Sequence, residues 1–71
     1  MNTKELRIEM IRHDDTAEKL AEYLGVSSAT IHRKISGENN FKQDEMAKIK
    51  SRYNLSTERF VEIFYGEGVK V

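Results

Sequence analysis

The sequence predicts an all-α fold, one domain over residues 1–71 made of five short helices, with a helix-turn-helix at the second and third. Three observations carry that expectation. Ala17, Leu20, Ala21 and Leu24 fall at i, i+3, i+4 and i+7, and Ile31 and Ile35 at i and i+4, so two apolar helix faces stand close together. Gly25 lies between them, where a left-handed residue ends a helix without a Cβ clash. There is no Pro and there are only four Gly in 71 residues, a composition suited to helices rather than to a turn-rich β-sandwich.

The helices are expected at about 3–12, 16–24, 28–36, 43–53 and 57–65, with a tail over 66–71. Asn2 or Thr3 caps the first, whose Leu6 and Met10 lie one turn apart with Ile11 flanking, while Ile8 falls off that face. His13, Asp14 and Asp15 interrupt the pattern, and Asp15 or Thr16 caps the second helix. Val26 is a buried-type residue in the turn, Ser27 or Ser28 caps the third helix, and Gly37 closes it. The small Ala21 allows the two helices to cross closely, and Ile31 fills the wedge between them. Glu38-Asn39-Asn40 is a loop by composition, from which Phe41 plugs the core. Met46, Ile49 and Tyr53 form the apolar side of the fourth helix and Asn54 its end; Leu55 returns to the core. Ser56 or Thr57 caps the fifth, with an apolar stripe of Phe60, Ile63 and Phe64 widened by Val61 and Tyr65. Val69-Lys70-Val71 reads as a frayed tail or an exposed edge.

Composition narrows the function classes. The chain weighs 8.3 kDa and is 38% hydrophobic and 34% charged, enough for one small core. Without cysteine it has no disulfide framework and no thiolate metal site. No apolar run reaches membrane length and no signal-peptide segment is visible, so a soluble protein with a cytoplasmic location is expected. Twelve basic and twelve acidic residues cancel, and the pI of about 6.7 lacks the basic excess usual in nucleic-acid binding. The charges are unevenly spread: Arg33 and Lys34 are unopposed between Ser27 and Gly37, with Lys42, Lys48, Lys50 and Arg52 beyond, while acids concentrate at Asp14, Asp15, Glu18 and Glu22 and again at Glu58, Glu62 and Glu67.

The outer face of the third helix, Ser27, Ser28, Ala29, His32 and Arg33, is small, polar and basic, as a helix entering the major groove should be. Of these side chains only the Arg33 guanidinium could donate two hydrogen bonds to guanine O6 and N7.

Thr16, Leu20, Ala21, Leu24, Gly25, Val26, Ser27, Thr30, Ile31 and Gly37 together resemble the helix-turn-helix pattern of the phage Cro/repressor class, the xenobiotic-response-element (XRE) family. The resemblance extends over roughly Leu6 to Phe64 and implies a five-helix lambda-repressor-like domain. It further implies base contacts at Ser28, Ala29 and Arg33, with Ser27 and His32 beside them. Asn39, Asn40, Lys42 and Gln43 fall where the family touches the DNA backbone, and Lys34 joins them as a nearby cation. Two positions depart from the pattern: Ala17 stands where a Gln is usual, and Ser28 where Gln or Arg is common. Both thin out DNA readout.

The implied function is a regulator of a phage-type genetic switch that binds operator DNA, as a dimer over two half-sites. The chain is also similar to the short modulator-of-repression (antirepressor) proteins of lactococcal temperate phages, which implies a repressor protein as the alternative partner. On that reading Asp14, Asp15, Glu18 and Glu22 meet the repressor's basic surface. On the plainer one they cap and solubilise the second helix. Phe60, Val61, Phe64 and Tyr65 are candidates for self-association or partner docking. No enzyme is expected: Ser28 and His32 share a helix face but no acid orients the His. His13 with Asp14 and Asp15 suits a helix cap better than a metal, and neither a metal nor a cofactor is called for.

Overall fold

The computed structural model describes residues 1–66 and contains five helices: α1 (Thr3–Arg12), α2 (Ala17–Leu24), α3 (Ser28–Ile35), α4 (Gln43–Arg52) and α5 (Thr57–Tyr65). No strand occurs among the described residues, and no helix among them is long and apolar enough to cross a membrane. The terminal Val69-Lys70-Val71 lies outside the described residues.

Each helix begins where a side chain meets its free N–H groups. Asn2, Thr16, Ser27 and Ser56 accept from the backbone N–H of Glu5, Lys19, Thr30 and Arg59, respectively. Thr16 is thus a cap rather than the first residue of α2. Lys42, which precedes α4, has no acceptor to offer; instead Glu45 reaches back to take the Lys42 N–H at 2.9 Å.

The helix ends follow one device. Asp14, Gly25, Gly37 and Asn54 have φ of 52°, 78°, 91° and 52° and follow the last turns of α1 to α4. Left-handed backbone there turns the chain and satisfies carbonyls of the last turn. Asp15, Val26 and Leu55 donate to the carbonyls of Met10, Ala21 and Lys50, five residues earlier, at 2.8, 3.0 and 2.9 Å. No atom lies near enough to touch a Cβ placed on Gly25, so its conformation, not crowding, calls for glycine. Ser36 and Tyr53 become helix caps, so α3 and α4 end one residue earlier than expected.

Leu6, Leu20, Ile31, Ile49 and Ile63 are the largest fully buried side chains, one from each helix. Around them Met10, Ala21, Leu24, Ile35, Phe41, Tyr53, Leu55 and Phe64 complete the core, with Val26, Met46 and Phe60 packed partly against it. α2 packs on α3, and α1 packs on both α3 and α5. Ile11, expected to flank the buried stripe of α1, is instead 74% exposed. It directly follows Met10, and a helix turns 100° per residue, which carries it away from the core.

Charged side chains tie the helices together where the core is thin. Arg52 grips Asp15 with two hydrogen bonds of 2.8 Å, and the Tyr53 hydroxyl donates to the same carboxylate at 2.5 Å. The Arg52 guanidinium also lies 4.7 Å from the centre of the Tyr23 ring, so the α1–α2 connection and α2 are both held to the end of α4. On the other side Arg59 of α5 bonds Glu9 at 2.6 Å and Glu5 at 2.7 Å on α1, and Glu62 at 2.9 Å on its own helix.

The Arg52 hydrogen bonds hold the Asp15 carboxyl down to about 2 from an ordinary 3.8, against a burial that raises it. Because the folded-state value lies below the unfolded one, the stability this group supplies is complete above 3.8 and is lost as pH falls toward 2. Asp15→Asn should therefore cost about 2 kcal/mol at neutral pH and little at pH 2. Urea unfolding at the two pH values measures this, and an equal loss at both would remove the ion pair from the account.

Candidate nucleic-acid interface

The left-handed turn at Gly25 directs the chain out of α2 through Val26 and Ser27 into α3. Ile31 and Ile35, buried, fix which side of α3 faces inward. The opposite side carries Ser27, Ser28, Ala29, His32 and Arg33, all exposed as the sequence suggests. Ser27 is partly committed, since its hydroxyl caps α3 and donates to the Thr30 hydroxyl at 2.9 Å. His32 Nε2 lies 3.7 Å from the Glu18 carboxylate of α2, both side chains being well exposed.

Arg33 has no ion pair or side-chain hydrogen bond among the described residues, leaving all five donors of its guanidinium for a ligand. Only its backbone is used: the carbonyl accepts from the Ser36 hydroxyl at 3.0 Å and from the Asn39 N–H at 3.1 Å. The second bond folds the segment after Gly37 back against the end of α3. Asn39, Asn40, Lys42 and Gln43 are all exposed along it, while Phe41 between them is buried.

Three assignments need correction. Lys34, expected near phosphate, is 7% exposed, and its Nζ bonds Glu45 Oε1 of α4 at 2.5 Å. One residue before Ile35, it turns inward rather than out, and its amine sits 5.9 Å from the centre of the Phe41 ring. Asp15 is absent from the acidic surface of α2: its side chain is 2% exposed and saturated by Arg52 and Tyr53, which leaves Asp14, Glu18 and Glu22. Phe64 belongs to the core, edge-on to Phe41 at 5.9 Å, and Phe60 is half-buried against it at 5.0 Å. Only Val61 and Tyr65, 47% and 54% exposed, remain of the broad apolar face of α5.

The Glu45 to Lys34 pair escaped the sequence reading because both residues occupy positions that a polar pattern assigns to the surface. Burial alone would raise the Glu45 carboxyl, but the hydrogen bonds from Lys34 and the Lys42 N–H hold it below its usual range. The same carboxylate thus anchors α3 and starts α4. A signal was present: Glu45 is the third residue of a helix whose capping position is a Lys, where an acid must reach back.

No protein-family model matches the chain, and no curated protein or solved structure matches it. The reading of this surface therefore rests on its own geometry and on the sequence pattern.

Lys34→Met strands the Glu45 carboxylate in a buried site and should cost about 3 kcal/mol. Adding Glu45→Gln removes the stranded charge but keeps an acceptor for the Lys42 N–H, and should recover most of that loss. Denaturant midpoints of the single and double variants decide the matter; a harmless Lys34→Met would mean the pair is solvated.

Proposed function

We propose that this chain is a small regulator of a phage-type genetic switch. In this reading α2 and α3 form a helix-turn-helix of the Cro/repressor kind, with α3 placed in the major groove of operator DNA. The observation that carries the proposal is Arg33, without an ion pair or side-chain hydrogen bond among the described residues, on a face of α3 otherwise made of Ser27, Ser28, Ala29 and His32. A guanidinium in that position can bridge guanine O6 and N7, while the methyl of Ala29 suits thymine. Asn39, Asn40, Lys42 and Gln43 supply backbone contacts beside the helix. A pair of such domains would address two half-sites roughly 34–36 Å apart.

A second reading, an antirepressor that binds the switch's repressor protein, is favoured by the charge around α3. With Lys34 withdrawn, the exposed charges of α2, α3 and residues 37–44 are Lys19, Arg33 and Lys42 against Glu18, Glu22, Glu38 and Asp44. DNA gains little attraction at a distance from such a surface. A repressor's basic DNA-binding face would find Glu18 and Glu22 complementary.

One titration separates the two. The protein is added to its promoter DNA over a range of salt, with and without the neighbouring repressor. Operator binding should weaken with rising salt, and Arg33→Ala should lower affinity by about 5- to 150-fold, equivalent to roughly 1–3 kcal/mol. Release of a bound repressor without any DNA contact, lost on reversing Glu18 and Glu22 to Lys, selects the second reading instead.

A further inference from the structure

Beside α3, but on the α1 side, the molecule has an open apolar groove of about 350 Å³. Met10 and Ile35 line it with Ala17 at the start of α2, Ile11 stands at its edge, and His32 links it to the outer face of α3. Ile11, at 74%, is the most exposed large apolar side chain among the described residues. Arg7, one helical turn before Ile11, lines the same groove and has no ion pair among the described residues. The groove's own carboxylate cannot neutralise it, because Asp15 already accepts from Arg52, Tyr53 and the Thr16 N–H.

We infer that this groove is a docking site for an acidic amphipathic helix of a protein partner, which seats an aliphatic side chain between Ile11 and Ala17 and sets a carboxylate one turn away against Arg7. The pairing follows from what the groove lacks. An exposed isoleucine gains nothing beside a DNA phosphate, whereas an aliphatic side chain laid on it removes apolar surface from water on both partners. The free cation one turn along α1 matches the i, i+4 spacing of an apolar residue and an acid on an incoming helix. The inference goes beyond the α3 reading, since Arg7 and Ile11 belong to no part of that surface. Through His32 the two surfaces adjoin, so a docked helix would lie against the edge of the α3 face.

The test uses the full chain, labelled with ¹⁵N, and a synthetic amphipathic helical peptide of about four turns carrying Leu and Glu one turn apart, with a Lys-for-Glu version as control. The acidic peptide should perturb the amides of Arg7, Ile11, Ala17 and His32 saturably, and the Lys version should bind at least tenfold more weakly. Ile11→Glu should weaken the acidic peptide at least tenfold. Arg7→Glu should reverse the preference between peptides. Both positions face solvent, so both variants should keep the native helical circular dichroism. Absence of those perturbations, equal binding of the two peptides, or perturbations centred on Val61 and Tyr65 would overturn the inference. So would the same amides shifting on concentrating the protein alone, which would mean a second copy fills the groove. Duplex DNA added as a separate probe reports on α3 alone; its failure to bind would count against the operator reading and leave the groove intact.

Discussion

Five aliphatic side chains, one from each helix, lie in a single core cluster, and none of them reaches water. That shared burial is the constraint from which the rest follows. A chain this short buries a limited fraction of its surface, and each central residue supplies a large part of what holds its helix in place. None of the five helices exceeds ten residues, so none would persist alone in water. Each is stable because its single stripe is used at the centre, and the left-handed residues at four of the five ends release the chain to supply the next.

The buried apolar residues turn one side of each helix inward, and further contacts between helices help to set the angles at which they cross. The ion pairs are among them. Lys34 and Glu45 set α3 against α4, Arg52 and Asp15 set the start of α2 against the end of α4, and Arg59 with Glu5 and Glu9 sets α5 against α1. Each joins different segments of the fold, and the carboxylates of Glu45, Asp15 and Glu9 each take more than one hydrogen bond. Well-packed apolar pairs can serve stability as well, and packing also favours particular crossing angles; a charge-assisted hydrogen bond adds a directional contact. The angle of α3 matters most, because its outer face is the proposed reading surface.

The fold was largely legible because periodicity and capping are local. Leu20, Ala21 and Leu24 define a face without reference to any other element, and Gly25 marks its end. Asn54 could be placed at a helix end from its residue type alone, and its left-handed φ gives the reason. What escaped is what depends on distant partners. Nothing near Lys34 in sequence reveals that Glu45 waits eleven residues on, and Asp15 reads as a cap until Arg52 is folded beside it. The α5 stripe was over-assigned for a related reason: it spans too much of the helix for one core to cover. Phe64 and Ile63 take the inner positions, Phe60 the margin, and Val61 and Tyr65 are left outside.

These placements bear on how such a protein can recognise anything. Three of its cations, Lys34, Arg52 and Arg59, hold carboxylates of the fold. The chain is neutral overall, so attraction at a distance is weak and a partner must be recognised at contact. At contact the proposed anchors are Arg33 on α3 and the Ile11 and Arg7 pair on α1. Recognition built on these anchors depends strongly on their spacing, and that spacing is set by how α3 sits on α1. The buried pair of Lys34 and Glu45, next to Arg33 along the chain, holds the same helix against α4 and so helps fix where Arg33 stands. The charges that join α3 to α4, the start of α2 to α4, and α5 to α1 are thereby withdrawn from any contact with a partner.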